Sequence, residues 1–495
     1  MGQHASDHDW RLCYAKLPSR FSGTGSAEIA NYPRLEEREH AVGVRAGQPF
    51  LLTPDGRADI DVLLFFKSPS FQCLAAESQA SYALDLRVFL SFLSVQGVEW
   101  RKATDEDVAD FEFWRRRDER NPARVSASKF SRELAAINKF YLWQCKRSIV
   151  AQSPITMTER KLRSGETATR PELRPKSTRA FRVKWLTPRA YMRWRDVGLG
   201  GYSPDGTRDE LWRGRNDGRN LALAETLWSS GLRLREGATL GLDEIPRVQD
   251  ELQYGRSRVG QAVAKGRGRD FWISGRTLTR IDNYRLSTRR EAVHRAHREG
   301  RYTSSDIKVI QKIDNRRIVH YTASDGQTGQ VPLDNLDCND RLQIYIEGED
   351  GLEPWMLWLS ESVLPLPYRS WEAVFSTANS RCRETGVDIH CHPHALRHSF
   401  ALRMLVAIMY AHDRRMGISP QERREYRHLF GDPWVLVQTM LGHASIAVTR
   451  DCYLEPVSGL QVELFLNDDP GEDSSINDLI TRVAQLSPRI ADVEE

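Results

Sequence analysis

The stretch IHCHPHALRHSF, Ile389 to Phe400, holds four histidines, a cysteine and an arginine. Pro393 favours the first turn of a helix, so His394 and Arg397 would lie one turn apart on the same face. A guanidinium can bind two oxygens of an oxyanion, and an imidazole beside it adds a donor that can also transfer a proton. The spacing of His394 and Arg397 therefore indicates a site for a phosphodiester.

The same stretch allows a second interpretation, a metal site. His394 and His398 have the i, i+4 spacing with which imidazoles bind zinc from a helix. However, no carboxylate stands between them and no second cluster of ligands matches them, so we expect no metal and no other cofactor. A metal hydrolase remains the alternative. We expect helix-entry or core roles for the other four residues, His390, Cys391, His392 and His398.

Three further motifs accompany this stretch. Upstream, SSGLRLREGATL carries Arg233 and Glu236. Lys265 lies in VAKGRGR, a sequence that predicts a tight glycine turn between two strands. Downstream, LGHASIAVTRDCYLEP brings His443 and, ten residues later, Tyr453. Each motif alone is common, and only their combination is specific.

The order of these motifs resembles the tyrosine recombinases, the lambda-integrase-like phage-integrase family. That family's pattern is an arginine in GLRxxE, a lysine in a β-hairpin, HxLRH, then LGH and a tyrosine, and every part is present here. The resemblance covers about residues 70 to 460. It departs from the family in two insertions, about 285–350 and 412–433, and in Arg235, which stands where a small residue is common.

The resemblance implies a role for each residue of the motifs. Arg233 and Arg397 would clamp the scissile phosphate, and His394 and His443 would donate hydrogen bonds or assist proton transfer. Lys265 would protonate the departing 5′ oxygen, Glu236 would support the site, and Tyr453 would be the nucleophile. A phenol with a pKa of about 10 is a poor nucleophile at neutral pH, and neighbouring cations favour its ionised form. The product would be a 3′-phosphotyrosine, formed without metal or ATP.

The predicted fold is mainly α with a small β-sheet and hairpins. A helical core-binding domain would precede an α+β catalytic domain. We expect an N-terminal extension over 1–65, the core-binding domain over 66–155, a basic linker over 156–185, the catalytic domain over 186–466 and an acidic tail over 467–495.

Apolar periodicity and turn signals support this division. Thr104 with Asp107 predicts a capping box, Thr187 with Pro188 a second helix start, and Gly231 a helix end. Asp325-Gly326 predicts a hairpin within the first insertion, which we expect to hold one helix as well. The apolar residues of the first two long amphipathic helices are Leu86, Phe89, Leu90 and Leu93, and Phe130, Leu134, Ile137 and Tyr141.

Charge is distributed unevenly along the chain, although the net charge is only +4. Residues 156–185 contain nine Lys or Arg against three Glu, and residues 467–495 contain eight Asp or Glu against two Arg. A basic middle segment favours a polyanion partner, with solvated surface charge as the alternative. The residues predicted to bind DNA are Arg174, Lys176, Arg179, Arg182, Lys184, Arg267 and Arg269.

The acidic tail contains a predicted amphipathic helix after the spacer NDDPGEDSS. Its apolar positions are Ile476, Leu479, Ile480, Val483 and Leu486. Such a stripe cannot bury itself. It could fold back onto its own catalytic domain, but we expect it to dock on a neighbouring protomer.

Composition limits where the protein works. The seven cysteines include no CxxC pair, which favours a reducing compartment. No apolar run is long enough for a membrane span, and the first residues lack a signal-peptide core, so we expect a cytoplasmic, nucleoid-associated protein.

The expected function is site-specific recombination or integration of double-stranded DNA by an assembly that grows from dimer to tetramer, with accessory proteins as further partners. The alternatives are a type IB topoisomerase-like enzyme that relaxes DNA, and a DNA-binding protein without catalysis.

Overall fold

The computed structural model describes residues 8–15, 43, 45, 47–161, 167–175, 185–246, 254–302, 307–349, 351–414, 432–443, 446, 449, 477, 480–481, 484 and 489–493. The chain divides into two compact units, residues 1–180 and 181–495. Each unit has its own hydrophobic core. The described residues are mainly helical with small sheets, as predicted. No helix among them is long and apolar enough to cross a membrane.

The first unit is a group of helices with two small two-stranded antiparallel sheets. Its helices are α1 (Ile60–Lys67), α2 (Pro69–Gln72), α3 (Ala76–Val95), α4 (Asp105–Arg116) and α5 (Ala127–Lys146). Its strands are β1 (Arg11–Tyr14), β2 (Pro49–Leu52), β3 (Met157–Lys161) and β4 (Thr167–Pro171), which pair antiparallel as β1–β2 and β3–β4.

The predicted apolar faces of α3 and α5 form the core of this unit. All eight of the residues predicted to line those faces are buried. The predicted capping box is also present, because Thr104 accepts from the Asp107 backbone while the Asp107 carboxylate accepts from the Thr104 N–H at 2.8 Å. The helices therefore follow directly from local sequence.

The segment before residue 65 differs from the separate extension that we predicted. Trp10 and Leu51 are buried in the same core as α3 and α5. The Trp10 N–H donates to Ser91 Oγ at 2.9 Å, which ties β1 to α3. This contact spans 81 residues of sequence, so no local pattern announces it.

The predicted linker also contains more structure than we expected. β3 and β4 form an antiparallel hairpin within it, with Met157 opposite Pro171. Residues 162–166 and 176–184 of this segment lie outside the described residues.

The second unit contains the residues of the predicted catalytic motifs. Its helices are α6 (Pro188–Trp194), α7 (Asp217–Ser230), α8 (Leu234–Ala238), α9 (Gly275–Tyr284), α10 (Arg290–Arg298), α11 (Cys338–Leu342), α12 (Ser370–Glu384), α13 (Pro393–Arg414) and α14 (Pro433–Leu441), with π-helical segments Arg195–Leu199 and Arg285–Arg289. Its strands are β5 (Trp185–Leu186), β6 (Tyr254–Val259), β7 (Arg269–Ser274), β8 (Lys308–Ile313), β9 (Ile318–Ala323), β10 (Thr328–Pro332), β11 (Ile344–Gly348), β12 (Gly351–Pro354) and β13 (Ile490–Ala491).

Two of the predicted helix boundaries are present in the second unit. Thr187 caps α6 and Pro188 takes its first position, as predicted. Gly231 ends α7 in the left-handed conformation with φ of 65°. A β-carbon at Gly231 would lie 2.3 Å from Phe400 of α13, so glycine allows α7 and α13 to approach closely.

The first insertion forms more than the helix and hairpin that we predicted. β8 to β12 build a five-stranded sheet in the order β10-β9-β8-β11-β12. The predicted hairpin at Asp325-Gly326 is the β9–β10 pair. The additional strands β8, β11 and β12 were not predicted. β8 and β11 are parallel neighbours separated by more than thirty residues, a pairing that no local pattern reveals. Most of the second insertion, residues 415–431, lies outside the described residues.

The end of the tail packs on its own catalytic unit, while docking of the amphipathic stripe on a neighbouring protomer stays a prediction. β13 pairs parallel with β5, with Ile490 opposite Trp185. Ile480 and Ile490 are buried at 1% and 6% exposure. Backbone pairing with β5 provides an attachment in cis that the apolar stripe did not reveal. The predicted positions 476, 479, 483 and 486 lie outside the described residues.

We predict that Gly231→Ala destabilises the second unit by about 2–4 kcal/mol, the sum of left-handed backbone strain and overpacking against Phe400. Urea unfolding measures the loss. The matched control is Gly326→Ala, because Gly326 also has a positive φ but a β-carbon added there would meet nothing within 4 Å. That variant should lose only about 1 kcal/mol. Equal losses in both variants would contradict close packing at Gly231.

Candidate active site

The site is built around the carboxylate of Glu236, which is fully buried. Arg233 donates to it from its backbone N–H and from Nη1, both at 2.8 Å. Arg269 donates from Nη1 and Nη2, at 2.9 and 2.7 Å. One carboxylate therefore orients two arginines that come from different elements.

The local sequence explains how Arg233 reaches this position. Gly231 reverses the chain after α7, and Arg233 becomes the residue that precedes α8. Glu236 then lies three positions into the next helix, where a side chain can reach back to the N-terminal N–H. GLRLRE thus folds as a helix end, a turn and a helix start.

The ionisation of Glu236 depends on its partners. Burial alone would raise its pKa, but the hydrogen bonds and charge of Arg269, together with Arg397 and Arg233, lower the pKa to about 2. The carboxylate is therefore ionised at neutral pH and balances part of the positive charge of the site.

Arg397 comes from the first turns of α13 and is fully buried. Its guanidinium donates to the carbonyl oxygens of Gly231 and Leu441, which precede Arg233 and His443 in sequence. Its Nη1 lies 3.9 Å from Glu236. Arg397 therefore joins the GLRLRE turn, α13 and the LGH turn in one cluster.

His443 follows α14 and the left-handed Gly442. Its Nε2 lies 3.2 Å from Arg397 Nη2, and its Nδ1 lies 2.9 Å from Thr449 Oγ1. Because a guanidinium can only donate, Nε2 is the acceptor and the neutral ring carries its proton on Nδ1. Burial and the charges of Arg397, Arg233 and Arg269 lower the pKa of His443 to about 3.

His394 lies in the first turn of α13, as predicted, and its side chain is accessible to solvent although the ring is partly buried. Partial burial of the ring, with Arg397, His392, Arg233 and Lys265, lowers the pKa of His394 to about 4. The charges of Arg233 and Arg397 thus contribute to the lowered pKa of both His394 and His443. Both imidazoles are neutral at pH 7 in this structure.

Lys265 lies in the connection between β6 and β7 and is exposed. Its φ is 54°, an uncommon value for a residue other than glycine. The connection, residues 260–268, is longer than the tight turn that we predicted, because Val263 and Ala264 are buried in it rather than paired in a strand.

Arg269 corrects one of the predicted DNA contacts. It is only 8% exposed, and its Nε donates to the Met440 carbonyl at 3.1 Å while both Nη groups bind Glu236. Its guanidinium therefore supports the site from within the protein. Arg267 and Arg174 are exposed, which agrees with a surface role.

The remaining predicted residues lie outside the described part of the chain. They are Tyr453, Lys176, Arg179, Arg182 and Lys184.

His392 and Cys391, which precede Pro393, have partners within the protein. His392 caps α13, because its Nδ1 accepts from the Ala395 N–H at 3.0 Å. Cys391 is buried and exchanges two backbone hydrogen bonds with the Asn379 side chain, at 2.8 and 2.9 Å. Within the residues that the structure describes, no group of three or more His, Cys, Asp or Glu could hold a metal ion.

Sequence reasoning missed two supporting contacts. The first is the pairing of Arg269 with Glu236, although a signal existed, since Arg269 alternates with buried Phe271 and Ile273 along β7. The second is the contact between His443 and Thr449, for which no local pattern was available.

Together these side chains define a class of site. Three arginines, Arg233, Arg269 and Arg397, lie around the single carboxylate of Glu236, and His443 contacts Arg397. His394 lies within electrostatic range of Arg233, Arg397 and Lys265. Arginines in such a cluster can stabilise an oxyanion that accumulates negative charge, and neutral imidazoles can donate or carry a proton. The arrangement is therefore chemically suited to an anion such as a phosphate group.

Comparison with known proteins finds relatives for part of the chain. Residues 72–148 match the phage integrase N-terminal SAM-like domain. The tyrosine recombinase XerC of Roseiflexus sp. (strain RS-1) is 26% identical over 212 residues, or 43% of this chain and 56% of the relative. The chain thus spans little more than half the length of the curated relatives that it matches. These matches confirm its resemblance to the tyrosine recombinases.

Solved structures give a weaker likeness. One is the XerH site-specific recombinase bound to a palindromic difH substrate, in a post-cleavage complex. Its alignment covers 80% of this chain and 80% of the XerH chain at 12% identity, with a TM-score of 0.41. The Tn1549 transposon integrase in complex with transposon right end DNA covers 86% of this chain and 98% of its own at 11% identity, with a TM-score of 0.42. Because these identities and scores are low, the solved structures assign no role to individual residues of this chain.

We predict that protonation of His443 destabilises the fold in mild acid. Its pKa is about 3 when folded and about 6.5 when unfolded, so the unfolded chain binds more protons between these values and stability falls as pH falls. Between pH 7 and pH 5 this residue alone should cost about 2 kcal/mol. His443→Gln, which does not titrate, should lose less over the same interval. Urea unfolding at the two pH values measures both, and equal losses would contradict the prediction.

Proposed function

We propose that the protein is a site-specific DNA recombinase that breaks and rejoins strands through a 3′-phosphotyrosine intermediate on Tyr453. The observation that carries the proposal is the joining of Arg233, Arg397 and His443 around buried Glu236. The family resemblance supports the same chemistry.

The arginines would bind the scissile phosphate. Arg233 keeps 21% of its side chain exposed, so a DNA phosphate can reach it directly. Arg397 is buried, and its Nη2 donates to His443 Nε2. A phosphate oxygen that replaced Nε2 as the acceptor would let His443 take up a proton and donate to the same phosphate.

The reaction conserves the energy of the phosphodiester bond. The Tyr453 hydroxyl passes its proton to a neutral imidazole of the site while its oxygen attacks phosphorus. The bond from phosphorus to the 5′ oxygen breaks, and the Lys265 ammonium gives that oxygen its proton. The arginines and histidines stabilise the additional charge of the transition state. Attack by a 5′-hydroxyl on the phosphotyrosine reverses these steps and rejoins the strands, so neither ATP nor a metal is required.

The same proposal assigns the two units and their partners. The helical unit would contact the duplex as a core-binding domain, and the basic segment 156–185 would bind phosphates. Recombination joins two DNA sites, so the assembly would grow from dimer to tetramer on DNA, with accessory proteins as further partners. The place of action would be the cytoplasm, in association with the nucleoid.

A type IB topoisomerase-like enzyme is the second candidate function, because it would use the same chemistry. A relaxation assay on supercoiled plasmid, beside a two-site recombination assay, separates the two. Relaxation at any sequence, without exchange between sites, would favour the topoisomerase.

We predict that Tyr453→Phe abolishes the covalent protein–DNA adduct and leaves DNA affinity within about threefold. The change removes the nucleophilic oxygen and keeps the arginines that bind phosphate. A nicked suicide substrate followed by denaturing electrophoresis measures the adduct, and a mobility-shift titration measures affinity. An adduct that persists in the variant would show that another residue is the nucleophile.

We also predict that cleavage continues in excess EDTA, because cationic side chains supply the charge that metal ions provide in other phosphoryl-transfer sites. The adduct yield with and without chelator is the measurement. If activity disappears and zinc restores it, the metal interpretation of the stretch HCHPH becomes the better one.

A further inference from the structure

The connection that carries Lys265 is an ordered turn, residues 260–268. Its backbone closes on itself, with Ala264 N–H donating to Gly260 O at 3.1 Å and Gly266 N–H donating to Gln261 O at 2.8 Å. Val263 and Ala264 are buried at 2% and 3% exposure, whereas Lys265 is exposed. Val263 and Ala264 therefore anchor the turn in the core, and Lys265 is left accessible to solvent.

The first insertion holds this turn from one side. The Ala262 N–H donates to the Asp334 carbonyl at 3.0 Å, and Gln261 Nε2 donates to Asn335 Oδ1 at 2.9 Å. A β-carbon at Gly260 would lie 2.8 Å from Asp334 Cα, so glycine permits this close approach. The contacts come from the 3₁₀ segment Leu333–Asn335, which follows β10.

Arg235 holds the turn from the other side. Its Nη2 donates to the Ala262 carbonyl at 3.1 Å, and its Nε donates to Cys338 Sγ at 2.9 Å. Arg235 is also the neighbour of Glu236 in α8. One side chain thus connects the helix that carries the site carboxylate, the lysine turn and the insertion.

Two features relate Lys265 to its surroundings, namely its strained backbone and its electrostatic effect on His394. A left-handed φ at a residue with a β-carbon costs about 1–2 kcal/mol, so Lys265 keeps this conformation only where neighbours impose it. Lys265 also contributes to the lowered pKa of His394, which places its ammonium within electrostatic reach of the site.

We propose that Arg235 and the insertion segment 334–338 are positioning residues that hold the 260–268 turn so that Lys265 faces the phosphate site before DNA binds. The proposal rests on the proposed function, in which Lys265 is the general acid. It gives a role to the insertion and to the arginine that departs from the family pattern.

The test compares cleavage of two DNA substrates by the full chain. One has an ordinary 5′-bridging oxygen, and the other has a 5′-bridging sulfur, a leaving group that needs no general acid. Arg235→Ala should slow cleavage of the oxygen substrate about 10- to 100-fold, because a misplaced acid transfers its proton poorly. It should change cleavage of the sulfur substrate by less than about threefold. A generally distorted site would slow both.

A second variant and a matched control complete the experiment. Asn335→Ala removes an exposed side-chain contact with the turn, so this variant should fold normally. It therefore tests the proposal even if Arg235→Ala does not fold. Arg316→Ala removes an exposed arginine of the same insertion, in the connection between β8 and β9, where the structure describes no side-chain contact with the turn. Asn335→Ala should show the sulfur rescue, and Arg316→Ala should cleave both substrates at the parental rate.

A double variant with Lys265→Ala tests whether Arg235 affects cleavage through Lys265. If Arg235 acts through the lysine, Arg235→Ala should cause no further loss in a Lys265→Ala background. Additive losses, or equal slowing of both substrates, would overturn the positioning role. Failure of the proposed function gives a different result, since Lys265→Ala itself would then show no rescue by sulfur.

Discussion

The structure of the site depends on one buried charge, the Glu236 carboxylate. A buried carboxylate is costly unless cations and hydrogen bonds satisfy it, and here Arg233 and Arg269 donate four hydrogen bonds to it. Those bonds also fix the arginines, since a guanidinium held by a buried carboxylate loses most of its freedom. The end of α7, the start of α8 and the start of β7 must therefore meet at one point, and Arg397 brings α13 to the same place. Folding of the second unit and assembly of the site are the same event.

Burial and the positive charge of the cluster together set the state of its histidines. Each imidazole near the arginines is kept neutral, because burial disfavours its charged form and the arginines would repel a further cation. The cluster in the free protein thus carries an excess of positive charge, which a bound anion would balance. Binding energy and proton uptake are linked in such an arrangement, because an anion that raises the pKa of His443 also gains a donor.

Sequence alone predicted the features that depend on local order. The buried faces of α3 and α5, the capping box at Thr104, the turn at Gly231 and the hairpin at Asp325 all follow from residues a few positions apart. Features that depend on distant partners were missed, among them the strand around Leu12, the parallel strands of the insertion and the attachment of the tail in cis. Arg269 lies between these cases. The alternation of β7 would have turned it inward, but its neighbour Arg267 made the segment look like a uniform basic surface.

The pairing of β5 with β13 has a consequence for how the chain is made. Trp185 and its partner Ile490 are about 300 residues apart in sequence. At roughly 5–20 residues per second, synthesis of the intervening chain takes about 15–60 s. During that interval β5 lacks its strand partner, although Ser399 can already satisfy the Leu186 N–H once α13 has formed. Residues 490–491, made about 300 residues after β5, thus close the sheet that begins the unit, and a nascent chain cannot form this pairing until they emerge.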